Sequence, residues 1–172
     1  MLPPTPRADT KSASEREYFA IIEQDLGDDW IVLHSLGLMV HATKPWAELD
    51  FVLIGPTGVF CIEFKGGGVE RFNSVWYYTD RNGNTDSTEE GPFEQVGTGS
   101  SALFKFLSKK GVMNRVCLGY GVATPDIVFR VEGPDIVPRI VYDERTELSA
   151  FQRICADWLT IGMKTSRHEA RS

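Results

Sequence analysis

Two apolar runs, Phe51-Val52-Leu53-Ile54 and Val59-Phe60-Cys61-Ile62, flank Gly55-Pro56-Thr57-Gly58, and no other stretch restricts the fold as much. Apolar runs rich in β-branched and aromatic residues and bounded by Gly and Pro read as strands, so residues 47–54 and 59–65 are expected to form a hairpin. Three charged residues, Asp50, Glu63 and Lys65, nevertheless stand in or beside these runs. A charge withdrawn from water needs a counter-charge, hydrogen bonds or a metal to compensate it.

Side chains alternate between the faces of a strand, so Glu48, Asp50 and Val52 share one face, and Glu63 and Lys65 share one face. With a two-residue loop at Pro56-Thr57, Gly55 pairs with Gly58. Counting outward then puts Asp50 opposite Glu63 and Glu48 opposite Lys65. Pro56 cannot take the positive φ of the primed hairpin turns, so a type I turn with a bulge at Gly58 is expected, which could shift that register by one residue. In either register the carboxylates of Asp50 and Glu63 converge, and such a pair repels unless a cation separates it.

Hard oxygen donors without neighbouring His or Cys suit Mg²⁺ or Mn²⁺. Lys65, on the same face as Glu63, would orient or help deprotonate an attacking water, or stabilise charge developing on a phosphate. These are the requirements of metal-assisted phosphodiester hydrolysis. The competing reading of the same residues is structural: a cross-strand ion pair of Asp50 or Glu48 with Lys65 on a solvent-facing side.

The remaining chain predicts an α/β fold, one mixed sheet flanked by helices. Glu15, Phe19, Ile22 and Leu26 recur at helical spacing within residues 12–26, and residues 30–40 read as a strand. Residues 69–80 read as a further strand or hairpin, and 81–90 as an exposed polar turn region. A second helix is expected from Pro92 to about Lys109, with Val96, Leu103, Phe106 and Leu107 inward, since proline suits a first helical position. Strands at 116–123 and 138–143 follow, then a third helix at 147–159 burying Leu148, Phe151, Cys155 and Trp158. The 172 residues fit one domain, expected over 12–161 between a disordered segment at 1–11 and a polar tail or linker at 162–172.

A net charge of −6 excludes a generic, strongly basic nucleic-acid binder, but not a local basic face. Lys105, Lys109, Lys110 and Arg115 lie in an acid-free run and form such a candidate for phosphate contact; a solvated helix end is the other meaning of that run. Cys61, Cys117 and Cys155 are widely spaced without a CxxC pair, which argues against zinc ribbons and disulfide frameworks and for buried thiols in a reducing cytoplasm. His34, His41 and His168 lack mutual metal spacing and are expected in core or surface roles. No apolar run approaches the roughly 20 residues that span a bilayer, so no membrane association is expected.

The string AELDFVLIGPTGVFCIEFKGGGV, followed by Trp76 and GPFEQV and preceded by SEREYF and DDWIVLHSL, resembles the NERD domain (nuclease-related domain). That domain is grouped with the PD-(D/E)XK nucleases, and the resemblance runs from about Ser14 to Leu107. It implies a restriction-endonuclease-like core and metal-dependent cleavage of DNA, with RNA as the other substrate. It further implies that Asp50 and Glu63 bind the metal, Lys65 is the catalytic lysine, Gln95 is a site residue on the following helix and Glu15 is the helical acid. A helicase or kinase, in cis or in trans, is the implied partner. On its own residues Glu15 reads two ways, as an acid reaching a site from the apolar face of its helix or as part of a capping box with Ser12. A non-cleaving module that binds nucleic acid or a partner protein is the alternative to an enzyme.

Overall fold

A computed structural model describes residues 13–38, 47–112 and 116–146, together with Leu2 and Thr5. Helix α1 (Ala13–Asp25) leads into strands β1 (Ile31–Leu38), β2 (Ala47–Gly55) and β3 (Gly58–Phe64). Three short strands follow, β4 (Gly68–Phe72), β5 (Val75–Thr79) and β6 (Thr85–Thr88), and then helix α2 (Pro92–Lys109). Strand β7 (Leu118–Thr124) and a single 3-10 turn at Pro138–Ile140 lead to β8 (Val141–Asp143).

Strands β1-β2-β3-β7-β8, in that order, make a five-stranded mixed sheet. The β1–β2 and β2–β3 pairs are antiparallel, whereas β3–β7 and β7–β8 are parallel. Leu2 pairs with the outer edge of β1, its N–H donating to the carbonyl of Val32. This α/β architecture is compatible with a restriction-endonuclease-like core. Strands β4, β5 and β6 add a second, antiparallel sheet. Its edge strand β6 lies within the segment that reads as a polar turn. Thr85, Asp86 and Ser87 are all exposed, so the strand carries no apolar period from which it could be read.

The β2–β3 hairpin keeps the unshifted register, with Gly55 opposite Gly58 and Phe51 opposite Ile62. Gly58 completes the turn at φ 148°, a backbone conformation that glycine adopts without Cβ strain. Both faces of the sheet are buried. On one, Phe19 and Ile22 of α1 pack against Phe51, Leu53, Phe60, Ile62 and Phe64. On the other, Val96 and Leu103 of α2 cover Leu49, Val52, Cys61 and Val122. Each fully buried side chain of this size contributes about 1.5–3 kcal/mol relative to exposure. Gly99 permits the close approach of α2, since a Cβ there would meet Leu49 Cδ2 at 2.5 Å.

Phe106 departs from expectation, being 51% exposed although its spacing places it with the inward residues. The last turn of α2 runs along an apolar groove beside β1, and Phe106 stands on its rim while Leu107 is half-buried. Cys61 is buried and Cys117 half-buried. The expected third helix, the polar tail, Cys155, His41, His168, Ser12 and Arg115 lie outside the described residues. Among the described residues no helix is long and apolar enough to cross a membrane.

Candidate active site

Beyond Phe51 and Ile62, the last pair of the β2–β3 ladder, the next residues are Asp50 and Glu63. Asp50 is fixed by a hydrogen bond in which the Phe64 N–H donates to its Oδ2 at 2.7 Å. Glu63, 4% exposed, accepts a hydrogen bond from Lys65 Nζ at 2.6 Å. That contact follows from strand alternation, which puts residues two apart on one face. The Lys65 backbone is tied to the neighbouring strand, its N–H donating to the Ala123 carbonyl at 2.8 Å. Asp50, Glu63 and Lys65 open onto a cavity of about 230 Å³ completed by Ala47, Glu48, Glu90, Gln95 and Thr98.

Electrostatics sharpen the picture. Burial, then the Glu63 charge, pushes the Asp50 carboxyl well above its usual range, although Lys65 and the Phe64 N–H oppose this. Burial also raises Glu63 against the pull of Lys65. For Lys65, burial acts to lower the pKa, but Glu63 and Asp50 together outweigh it and the net shift is upward. Lys65 is therefore an ammonium at neutral pH in this arrangement, a donor and counter-charge rather than a base.

The donor set fits a hard divalent cation. Two carboxylates face each other at a raised electrostatic cost, and the Gln95 Oε1 is buried beside the same cavity without a hydrogen-bond partner among the described residues. Among the described residues no group of three or more His, Cys, Asp or Glu converges on one point. Mg²⁺ needs no such cage, because its sites use one or two carboxylates together with water and substrate oxygens.

The family model of the nuclease-related domain, NERD, matches residues 10–124, which contain Glu15, Asp50, Glu63, Lys65 and Gln95. The chain belongs to the NERD family. A comparison with curated proteins returned no match.

In this NERD domain Lys65 pairs with Glu63 on its own strand. Among the described residues Asp50 makes no ion pair, so the cross-strand pair that competes with a metal site in the sequence reading is not formed. Glu15 does not line the cavity. Its Oε1 lies 2.6 Å from His34 Nε2, and its charge contributes to raising both Asp50 and Glu63. His34 is accordingly a core histidine with a specific partner, held between the rings of Phe19 and Phe51. The capping-box alternative depends on Ser12, outside the described residues.

The basic candidates are separate from this centre. Lys105, Lys109 and Lys110 are exposed toward the C-terminal end of α2. At 1.5 Å of helix rise per residue they stand roughly 15–22 Å along the axis from Gln95. Three neighbours of the site carry no sequence signal. Glu90 and Thr98 reach the cavity through the path of the chain into and along α2, and Tyr78 through the docking of the second sheet, where its ring centroid is 5.2 Å from Lys65 Nζ.

Proposed function

We propose that this domain hydrolyses DNA phosphodiester bonds with Mg²⁺ or Mn²⁺. The observation that carries the reading is the facing of Asp50 and Glu63 across adjacent strands, with the Lys65 ammonium in the same cavity. The cation would be held by those two carboxylates, and when bound it supplies Lewis acidity toward a phosphate oxygen and lowers the pKa of water. The chain does the rest. The Phe64 N–H fixes the direction of the Asp50 carboxylate. The Lys65 ammonium donates to the attacking water or to a non-bridging phosphate oxygen, where negative charge develops. The Gln95 amide orders the cavity, and Glu15, held by His34, adds negative potential behind the carboxylate pair. Glu48 and Glu90 make the entrance acidic, so a polyanion enters only with a cation in place.

DNA processing, repair or defence in the cytoplasm is the setting that fits, with a helicase or kinase as partner and RNA as the other substrate. A second reading, a non-cleaving module that binds nucleic acid or that partner, draws on one observation. The Lys65–Glu63 ion pair already compensates one carboxylate without a metal. Incubation of the purified protein with plasmid, linear and single-stranded DNA in Mg²⁺, Mn²⁺ or chelator decides between the two. Cleavage that needs the metal and disappears in Glu63→Gln supports the enzyme; no cleavage under any metal, with DNA still bound, supports the module.

A further inference from the structure

The connection after Lys65 brings the second sheet back against that lysine. Gly66 and Gly67 join it to β4, and Gly67 has φ 79°, in the left-handed region. A Cβ at Gly67 would lie 2.1 Å from the Thr79 carbonyl oxygen, so only glycine admits the end of β5 this close. The Gly67 N–H donates to Asp126 Oδ2 at 2.7 Å, which pins the connection from its other side. Next along the β4–β5 ladder, Val69 pairs with Tyr78, and the Tyr78 ring meets Lys65 Nζ at 5.2 Å from its centroid. The Tyr78 hydroxyl is buried and has no hydrogen-bond partner among the described residues. The face of the ring, not its polar end, is therefore what this residue presents to the lysine.

We propose that Tyr78 is a positioning residue that holds the Lys65 ammonium at the carboxylate pair through its ring face. The proposal rests on the reading of Lys65 as the lysine of a hydrolytic site. An ammonium on a flexible stem needs a second anchor if Glu63 is to offer its oxygens to a cation. A ring quadrupole attracts the ammonium without consuming a carboxylate oxygen. Tyr78 thus lets Glu63 exchange its lysine contact for a metal while Lys65 stays in the cavity.

The test uses the metal-free full chain and limited acetylation by acetic anhydride, read lysine by lysine by mass spectrometry. Lys65, 21% exposed, is compared with the exposed Lys105 and Lys109 in the same sample. Tyr78→Phe keeps the ring and is expected to label at the wild-type rate. Tyr78→Leu is expected to raise the relative rate at Lys65 about threefold or more, as loss of a cation–π contact implies. Tyr78→Met, flexible and without a ring, repeats the test in case leucine disturbs the sheet. Unreactive Cys61, which is fully buried, reports an intact core in each sample. Unchanged Lys65 labelling in both ringless variants, or an equal rise in Tyr78→Phe, overturns the proposal. A wild type inert toward DNA overturns the nuclease reading and leaves the labelling result standing.

Discussion

Asp50 accepts a hydrogen bond from the backbone N–H of Phe64 across 2.7 Å, the residue immediately after the carboxylate it faces. One side chain is thus both a candidate metal ligand and a clasp between β2 and the end of β3. The two roles separate by substitution. Asp50→Asn keeps an oxygen acceptor and removes the repulsion from Glu63, so metal-free stability in urea should be unchanged or improved at neutral pH. Asp50→Ala orphans the Phe64 N–H and should cost about 1–3 kcal/mol. A loss of about 3–5 kcal/mol in Asp50→Asn would instead mark a broken buried ion pair and contradict the metal site.

Metal binding should appear as added stability. A ligand that binds only the folded chain raises the melting temperature with concentration. Mg²⁺ and Mn²⁺ are expected to do so in the wild type, and Glu63→Gln, which keeps the shape and loses the charge, should abolish the rise. A full rise in that variant would place the cation elsewhere.

The pH dependence has a definite sign. Asp50 is held well above 3.8 and Glu63 above 4.5 in the metal-free fold, burial being the first cause for both. Once the pH passes those ordinary values, the folded chain retains protons that the unfolded chain has released. Stability from this pair therefore falls as pH rises through the window and is regained below it. Asp143 acts in the opposite sense and at lower pH: despite burial, Arg145 and the Phe129 N–H hold it below 3.8. Subtracting urea-unfolding curves of an Asp50→Asn, Glu63→Gln double variant isolates the pair. A wild-type-minus-variant difference that stays flat from acid to neutral pH would refute the sign. Metal affinity should climb over the same window, because the ligands must lose their protons.

Lys65 and the exposed lysines toward the C-terminal end of α2 should behave differently. Lys65→Ala is expected to reduce the cleavage rate by about 10²-fold or more, since its contact tightens in the transition state. Its effect on DNA affinity should be much smaller. Neutralising Lys105, Lys109, Lys110 and Arg115 should weaken binding and flatten its salt dependence while leaving the single-turnover rate at saturating protein nearly intact. Equal rate losses in both variants would place that basic run at the reaction centre.

The sequence by itself determined the hairpin and with it the set Asp50, Glu63 and Lys65, which share a face in either register it allowed; the structure chose the unshifted one. The reason is locality: a two-residue loop at Pro56-Thr57 aligns the strands, and the alternation of side chains carries that alignment outward to the acids. Helix α2 was readable for a similar reason, from Pro92 at its start and a stripe of inward residues at helical spacing. Only the tertiary structure decided which partner each charge found. Lys65 chose Glu63 over Asp50 and Glu48, Glu15 met His34 from another element, and Tyr78 came to Lys65 on a sheet whose docking depends on Gly67. The exposure of Phe106, at the rim of the groove beside β1, likewise follows from how α2 lies on the sheet. These contacts join segments far apart in the chain, and no local period encodes them: they are set when burial brings whole elements together and each charge must then be compensated by what lies nearest.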